Sequence, residues 1–257
     1  MGFGSIIHET PDGYIRREAR SPEVRAAFER QLRFMPWLAR ILPVAVPMPE
    51  SLLGNALVYR RLPGETVRPE RIAANAEPLA RDVGFFITAL HSIPISDGIA
   101  WGMSTQNRTE ELISCFEASV PLLSQEDQRA ARAWREVFSG PDRRSAIVHA
   151  DLWHENLLVD TGTGKLCGVL DFDSAGVGDP AWDLATQFHV GTEFARRVFD
   201  AYPYRSTELW SRAEELFQLR QFEGLAWSAH HRDIAEFEES IGKLRAGGVL
   251  PALPRKF

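Results

Sequence analysis

Residues 147–160, IVHADLWHENLLVD, constrain the fold more than any other part of the chain. Ile147 and Val148 lead in, Leu157, Leu158 and Val159 lead out, and the polar residues lie between them. Short apolar runs bounded by turn residues have the length of buried strands. The next segment, DTGTG at 160–164, is a hairpin signal, and a second strand-like run, KLCGVLDFD at 165–173, follows it. A polar loop is therefore pinned at both ends by strand, and the hairpin returns Asp171 towards Asp151 and Asn156. Any fold of this chain must bring three oxygen-bearing side chains to one point.

Two chemistries compete for that point. His149, Asp151 and His154 are donor types that bind zinc, but a zinc site needs further ligands and a reaction to serve. Asp151, Asn156 and Asp171 offer hard oxygen donors, which suit magnesium better. On the second reading His149 is a brace that holds the loop by hydrogen bonding.

Composition narrows the setting. At 257 residues the chain holds one large domain or two lobes with ample core. A formal charge of −6 argues against a nucleic-acid binder, which carries a basic face, and suits a cationic small substrate. Cys115 and Cys167 are the only cysteines, in no metal spacing, as expected in a reducing compartment. No apolar run reaches the roughly 18 residues that span a bilayer, and the N-terminus is no signal peptide. The expectation is a cytoplasmic protein with no membrane or nucleic-acid partner; its oligomeric state is not legible.

The pattern changes near residue 62. Residues 1–62 read as a glycine-rich turn (GFGS, 2–5), a turn feeding a strand (DGYIRR, 12–17), a helix within 21–42 and a strand (NALVYRRLPGE, 55–65) stopped by Pro63-Gly64. Ser21 and Pro22 suit the helix N-cap and first turn. Residues 63–257 are mostly helical. PLARDVGFFITALHSIP (78–94) spaces Leu79, Val83, Phe86, Ile87 and Leu90 as one helix face, and 109–139 and 207–244 carry long helical patterns. The 147–160 stretch and KLCGVLDFD look like the only strands of that half.

VHADLWHENLLVD followed by GVLDFDSAGVGDPAWDLA resembles the catalytic core of the aminoglycoside phosphotransferase family, small-molecule kinases with a protein-kinase-like fold. That family's loop reads His-Gly-Asp, with an Asn five residues after the Asp, then a hairpin strand ending in a metal-binding Asp. His149, Asp151, Asn156 and Asp171 take those places, with Ala150 standing for the Gly. FERQLRFMPWLARIL (28–42), VYRRLPGE (58–65) and ALHSIP (89–94) match further landmarks in order. The resemblance spans nearly the whole chain. It implies an α+β fold of two lobes: a small N-terminal β-sheet lobe with one helix, and a larger, mainly helical C-terminal lobe. The family places a strand before its glycine loop; here the chain starts almost at the loop, so that strand is missing or lies upstream.

The resemblance also implies roles. Asp151 would be the catalytic base, and Asn156 and Asp171 would hold magnesium on the phosphates of ATP or GTP. Leu158 and Leu170 would form the apolar floor under the base, and backbone from Tyr59 to Arg61 would hydrogen-bond it. Gly2, Gly4 and Ser5 would offer amides to phosphate. Arg17, with Arg16 as the alternative, would take the place of the kinase lysine, paired with Glu29 of the helix. The short segment after Asp171, and Ala150 where protein kinases carry Arg, point to a small acceptor rather than a protein. Asp179 and Pro180 suit a helix N-terminus, with Asp183 tying that helix to the catalytic loop. A polycationic aminoglycoside would need carboxylates, which Asp233, Glu236, Glu238 and Glu239 supply on a late helix, with Asp173 and Trp153 nearer the reaction centre. A macrolide or another hydroxylated metabolite is the alternative acceptor, and a nucleotide-binding module without catalysis is a third reading.

Overall fold

The computed structural model describes residues 5–69, 72, 76–106, 108–138 and 144–252. The chain falls into two compact units, one formed by residues 1–106 with 143–205 and the other by 107–142 with 206–257. Each brings together segments far apart in sequence. The strand-rich start therefore shares a unit with residues 147–160, and the division into units lies elsewhere than the change of pattern near residue 62.

The first unit opens with β1 (Ser5–Glu9) and β2 (Tyr14–Ala19), joined by a turn in which Thr10 and Tyr14 exchange hydrogen bonds and Gly13 takes φ +82°. With β3 (Ser51–Leu53) and β4 (Ala56–Arg60) they form an antiparallel sheet in the order β1-β2-β4-β3. Helix α1 (Pro22–Leu38) starts where expected: Ser21 Oγ accepts from Val24 N at 3.3 Å and Pro22 sits in the first turn. Its buried stripe is Ala27, Phe28, Gln31, Phe34, Met35 and Leu38. Phe28 packs with Leu57 and Tyr59 of β4, with Ile15, Ala19 and Leu52 around them.

The hairpin forms as the turn signal requires. Strand β7 (Leu157–Val159) pairs antiparallel with β8 (Leu166–Val169), and Asp160 Oδ1 accepts from Gly162 N, Thr163 N and Thr163 Oγ1. Strand β5 (Glu65–Thr66) extends this sheet beside β7. Strand β6 (Ala146–Val148), which leads into the loop carrying Asp151, pairs with β9 (Gly176–Gly178). The half after residue 62 thus holds two strands, β5 and β9, beyond those expected. Both are too short to leave a periodic signal, and β9 reads GVG. Helices α2 (Ala76–His91), α3 (Ile95–Ala100), α6 (Ala181–Ala185) and α7 (Thr192–Ala201) complete the unit. Asp179 Oδ1 accepts from Ala181 N at 2.9 Å and so caps α6 across Pro180.

The second unit is helical. The pattern at 109–139 is two helices, α4 (Arg108–Ser119) and α5 (Gln125–Val137), because Pro121 interrupts it and Ser124 caps anew through Asp127 N. The pattern at 207–244 is likewise α8 (Thr207–His231) and α9 (Ile234–Ala246), parted where Arg232 turns left-handed at φ +57° and Asp233 caps. Phe116 and Phe222 meet edge-on at 4.6 Å, with Trp134 against Phe222. Arg245 clamps Asp127 with two bonds of 3.0 Å.

Candidate active site

Asp151 lies on the loop between β6 and β7, and the backbone on both sides of it is gripped. Ala150 takes φ +63°, a region that costs an alanine roughly 1–2 kcal/mol and that glycine enters freely. Asp183, fully buried on α6, offsets this: Oδ2 accepts from His149 N at 2.9 Å and Oδ1 from Ala150 N at 2.7 Å. Downstream, Thr186 Oγ1 and Gln187 Nε2 donate to Leu152 O at 2.8 and 2.6 Å. His149 is also fully buried. Its Nδ1 accepts from Asp151 N at 3.3 Å, which leaves the ring proton on Nε2 to donate to Leu170 O at 2.8 Å. Both ring nitrogens are spent on backbone, so the zinc reading loses one of its ligands.

The hairpin brings Asn156 and Asp171 to the same place. Asn156 Nδ2 donates to Asp151 O at 2.8 Å, with a longer contact of 3.4 Å to Asp151 Oδ2. The amide oxygen takes no part in either bond. Leu170 N donates to Asn156 O, which sets the two strands in phase, and Asp171 itself turns left-handed at φ +59°. Burial pushes the Asp171 carboxyl up to about 6, and the charges of Asp173 and Asp151 add to this against the pull of Arg17. Two carboxylates therefore face one guanidinium, and a third, that of Asp151, lies near enough to add its charge at Asp171. That surplus negative charge, with the free amide oxygen of Asn156, fits a hard divalent cation. No group of three or more His, Cys, Asp or Glu side chains among the described residues has metal-site geometry, so such an ion would draw its remaining ligands from phosphate and water.

Arg17, not Arg16, points inwards. Arg16 is half-buried and pairs with Glu18, while Arg17 is 4% exposed and lies over the Phe28 ring at 5.3 Å. Arg17 Nη1 donates to Asp173 at 3.0 Å, Nη2 to Asp173 at 2.8 Å and to Asp171 at 3.1 Å, and Nε to Ser5 Oγ at 3.2 Å. Burial opposes its charge, but Asp171 and Asp173 outweigh burial and hold the guanidinium protonated beyond the ordinary arginine range.

Three expectations are corrected here. Glu29 is not the partner of Arg17: it is exposed and pairs with Arg25. The helix residue that reaches the network is Gln31, whose Nε2 donates to Asp173. Two residues turn a helix by 200°, so Glu29 and Gln31 lie on opposite faces, and only Gln31 falls in phase with Phe28, Met35 and Leu38. Asp173 is not open to an acceptor, since Arg17 and Gln31 hold its carboxylate. Ser5 contributes its hydroxyl to Arg17 from within β1, while Gly2 and Gly4 lie outside the described residues. A polar Gln in the buried stripe was the signal that sequence reading passed over.

A cleft of about 500 Å³ opens beside this network, lined by Ile7, Ile15, Tyr59, Arg61, Leu158 and Leu170 among others. The two leucines and Tyr59 line one cleft; Ile7 and Ile15, which also line it, lie on strands with no apolar pattern of their own. Burial pushes the Tyr59 hydroxyl up to about 12, against the charge of Arg17. The Arg61 amide donates to Gly13 O at 3.0 Å, so it is already engaged and cannot serve a base. Gly64, at φ +103°, closes the floor: a Cβ there would stand 2.6 Å from Cys167 Sγ. Trp153 stands edge-on to His154 and His189 at 5.1 and 6.0 Å beside the loop. In the second unit Asp233 accepts from Glu236 N as the cap of α9, Glu236 accepts from Ser240 Oγ, and Glu239 pairs with Lys243 at 2.6 Å.

Residues 6–216 match the family model described as the phosphotransferase enzyme family. The chain belongs to that family. Viomycin phosphotransferase of Streptomyces vinaceus is 31% identical over 150 residues, covering 55% of this chain and 51% of that protein, so the chain spans about half the length of this curated relative. The fold is shared with the GDP and kanamycin complex of APH(2")-IIia (TM-score 0.84, 19% identity, 96% of this chain and 90% of that one). It is shared too with macrolide 2'-phosphotransferase type I (TM-score 0.73, 21% identity, 97% and 88%). The architecture is common to neighbours named for two unlike acceptors.

Proposed function

We propose that the chain transfers the terminal phosphoryl group of ATP or GTP to a hydroxyl of a small molecule, with an aminoglycoside as the leading acceptor. The observation that carries this is the convergence of Asp151, Asn156, Asp171 and Arg17, next in the chain and the sheet to a cleft whose lining includes Tyr59, Leu158 and Leu170. Phosphoryl transfer demands alignment and neutralisation of phosphate charge more than covalent chemistry, and these groups supply both. Asp151 accepts the acceptor's proton, held in place by the grip on Ala150 and Leu152. Arg17 presents a fixed cation to the phosphates. Leu158 and Leu170 bury the base. Magnesium, held by Asn156 and Asp171, would neutralise charge on the phosphates.

The acceptor is read from charge. The chain's net charge of −6 and the acids of α9 support a polycation. Capping by Asp233, the bond from Ser240 to Glu236 and the Glu239–Lys243 pair leave Glu238 as the less committed carboxylate of that helix. The test is release of ADP or GDP from the full chain across aminoglycosides, macrolides and small amino alcohols, at low and high salt. Turnover with an aminoglycoside that weakens as salt rises supports the reading, since exposed charge pairs are screened over about 8 Å at physiological ionic strength. Salt-independent turnover with a macrolide alone replaces the acceptor, and nucleotide binding without transfer to any hydroxyl overturns the kinase.

A further inference from the structure

Behind the catalytic loop runs a second line of buried polar groups that the reaction itself does not use. Asp183 receives two backbone N–H groups of the loop, and a third donor reaches it from another direction. His91, the last residue of α2, places Nε2 3.1 Å from Asp183 Oδ2, and both side chains are essentially without solvent contact. On the other side of the ring, Nδ1 lies 2.9 Å from Tyr202 Oη. Tyr202 follows α7, is 3% exposed and stands edge-on to the imidazole at 5.5 Å.

Each link constrains the next. A carboxylate accepts, so Nε2 must carry the proton that faces Asp183. Tyr202 donates to Nδ1 and fixes that tautomer. Burial and the charge of Asp183 hold the Tyr202 hydroxyl protonated well above the ordinary tyrosine range, so it remains a donor. Asp183, fixed in turn, presents one oxygen to His149 N and the other to Ala150 N, the residue forced to positive φ immediately before Asp151. The two helices that deliver His91 and Tyr202 pack closely: a Cβ on Gly84 of α2 would stand 2.7 Å from Ala201 Cβ and 2.9 Å from Val198 O of α7. Filling polar valences in a core would need only some donor to Asp183. This line holds the one carboxylate that sets the strained turn of the catalytic loop, through an imidazole whose tautomer is set from behind.

We infer that His91 and Tyr202 are positioning residues for phosphoryl transfer, acting through Asp183 on the backbone that aims Asp151. This rests on the kinase reading above. It differs from mere core filling because it predicts a loss of turnover without a loss of binding, ordered by how well each variant still donates to Asp183.

The experiment uses the full chain with His91→Leu, His91→Gln and Tyr202→Phe, and Tyr204→Phe as a control on the exposed neighbouring ring. His91→Leu should lower kcat about 10- to 100-fold, the range for misplacing a reacting group from a distance, while KM for nucleotide and acceptor stays within about 2-fold. His91→Gln, whose amide can still donate to Asp183, should recover most of that loss, and Tyr202→Phe should fall between. Wild-type kcat in a folded His91→Leu or Tyr202→Phe protein overturns the inference, as does a rise in KM at constant kcat. If His91→Leu does not fold, the ranking of His91→Gln and Tyr202→Phe against wild type decides instead. If the wild type transfers nothing to any acceptor, the kinase reading has failed, and amide hydrogen exchange over residues 147–153 tests the positioning by itself. Exchange about 10-fold faster in His91→Leu than in His91→Gln, at matched melting temperature, supports it; equal exchange overturns it.

Discussion

The loop carrying Asp151 and the strand carrying Arg17 meet at Asp171, but they are held in different ways. The loop is fixed by its backbone: Asp183 on His149 and Ala150, His149 on Leu170, Thr186 and Gln187 on Leu152. All these partners come from a stretch of about forty residues, and most bonds involve a main-chain N–H or C=O. Arg17 is fixed by side chains alone, to Asp171, Asp173 and Ser5, and its acids are over 150 residues away. The hold on the loop is divided among several side chains, Asp183, Thr186 and Gln187 among them, so losing one leaves the others in place. A charge network is only as good as each of its members, because removing one partner leaves a buried charge uncompensated. The loop is accordingly the part built for precision, and the Arg17 network the part most easily broken.

The largest expected effect is at the loop. Asp151→Asn should keep nucleotide affinity and lower turnover by roughly 10²–10⁴, the usual range for losing a general base. Turnover unchanged in that variant would falsify the assignment of the base. Removal of metal belongs beside it: excess EDTA should reduce transfer to background, and magnesium rather than zinc should restore it. Zinc-only recovery would break the comparison by returning the site to the histidines.

The Arg17 network should respond next, and selectively. Asp173→Asn should weaken nucleotide binding and turnover by roughly 10- to 100-fold, as expected when a buried charge loses its partner. Glu29→Gln, on the opposite helix face, should remain within about 2-fold of wild type, as for an exposed i,i+4 pair. Equal losses in the two variants would restore Glu29 as the partner of Arg17 and undo the contrast.

Proton competition gives a smaller effect. The free carboxyl of Asp171 is raised to about 6, above the 3.8 of an unfolded chain. Between those values the folded protein keeps a proton that the unfolded chain has lost, so this group subtracts stability as pH rises through the window. A cation that replaces the proton recovers that loss. The rise in melting temperature on adding magnesium and nucleotide should therefore be larger at pH 8 than at pH 5; an equal rise at both would separate the ion from Asp171. The smallest effect is at Ala150. Ala150→Gly should be neutral or stabilising by up to about 1 kcal/mol in urea unfolding, where the same change in ordinary backbone costs about 0.5–1 kcal/mol. A normal cost would mean the turn carries no strain.

By itself the sequence determined the loop between β6 and β7, its hairpin and the cap of α1, because each is written in residues close together in the chain. The spacing of Asp151 and Asn156, the DTGTG turn and Asp171 leave few ways to fold locally, and Asp183 was readable as the tie from α6. Leu158 and Leu170 came from the resemblance and not from periodicity, since β7 reads Leu-Leu-Val without alternation and Leu170 follows the end of β8. Only the tertiary structure decided what Arg17 touches. Glu29 and Gln31 are both plausible on composition, and the choice depends on which face of α1 turns inwards, a matter of how Phe28 and Met35 fill the core. The breaks within 109–139 and 207–244 likewise depended on backbone conformation at Ser124 and Arg232 that periodicity smooths over. The line from Tyr202 through His91 to Asp183 joins three helices across more than a hundred residues. No spacing rule encodes it, because its members are brought together by helix packing and not by the chain that links them.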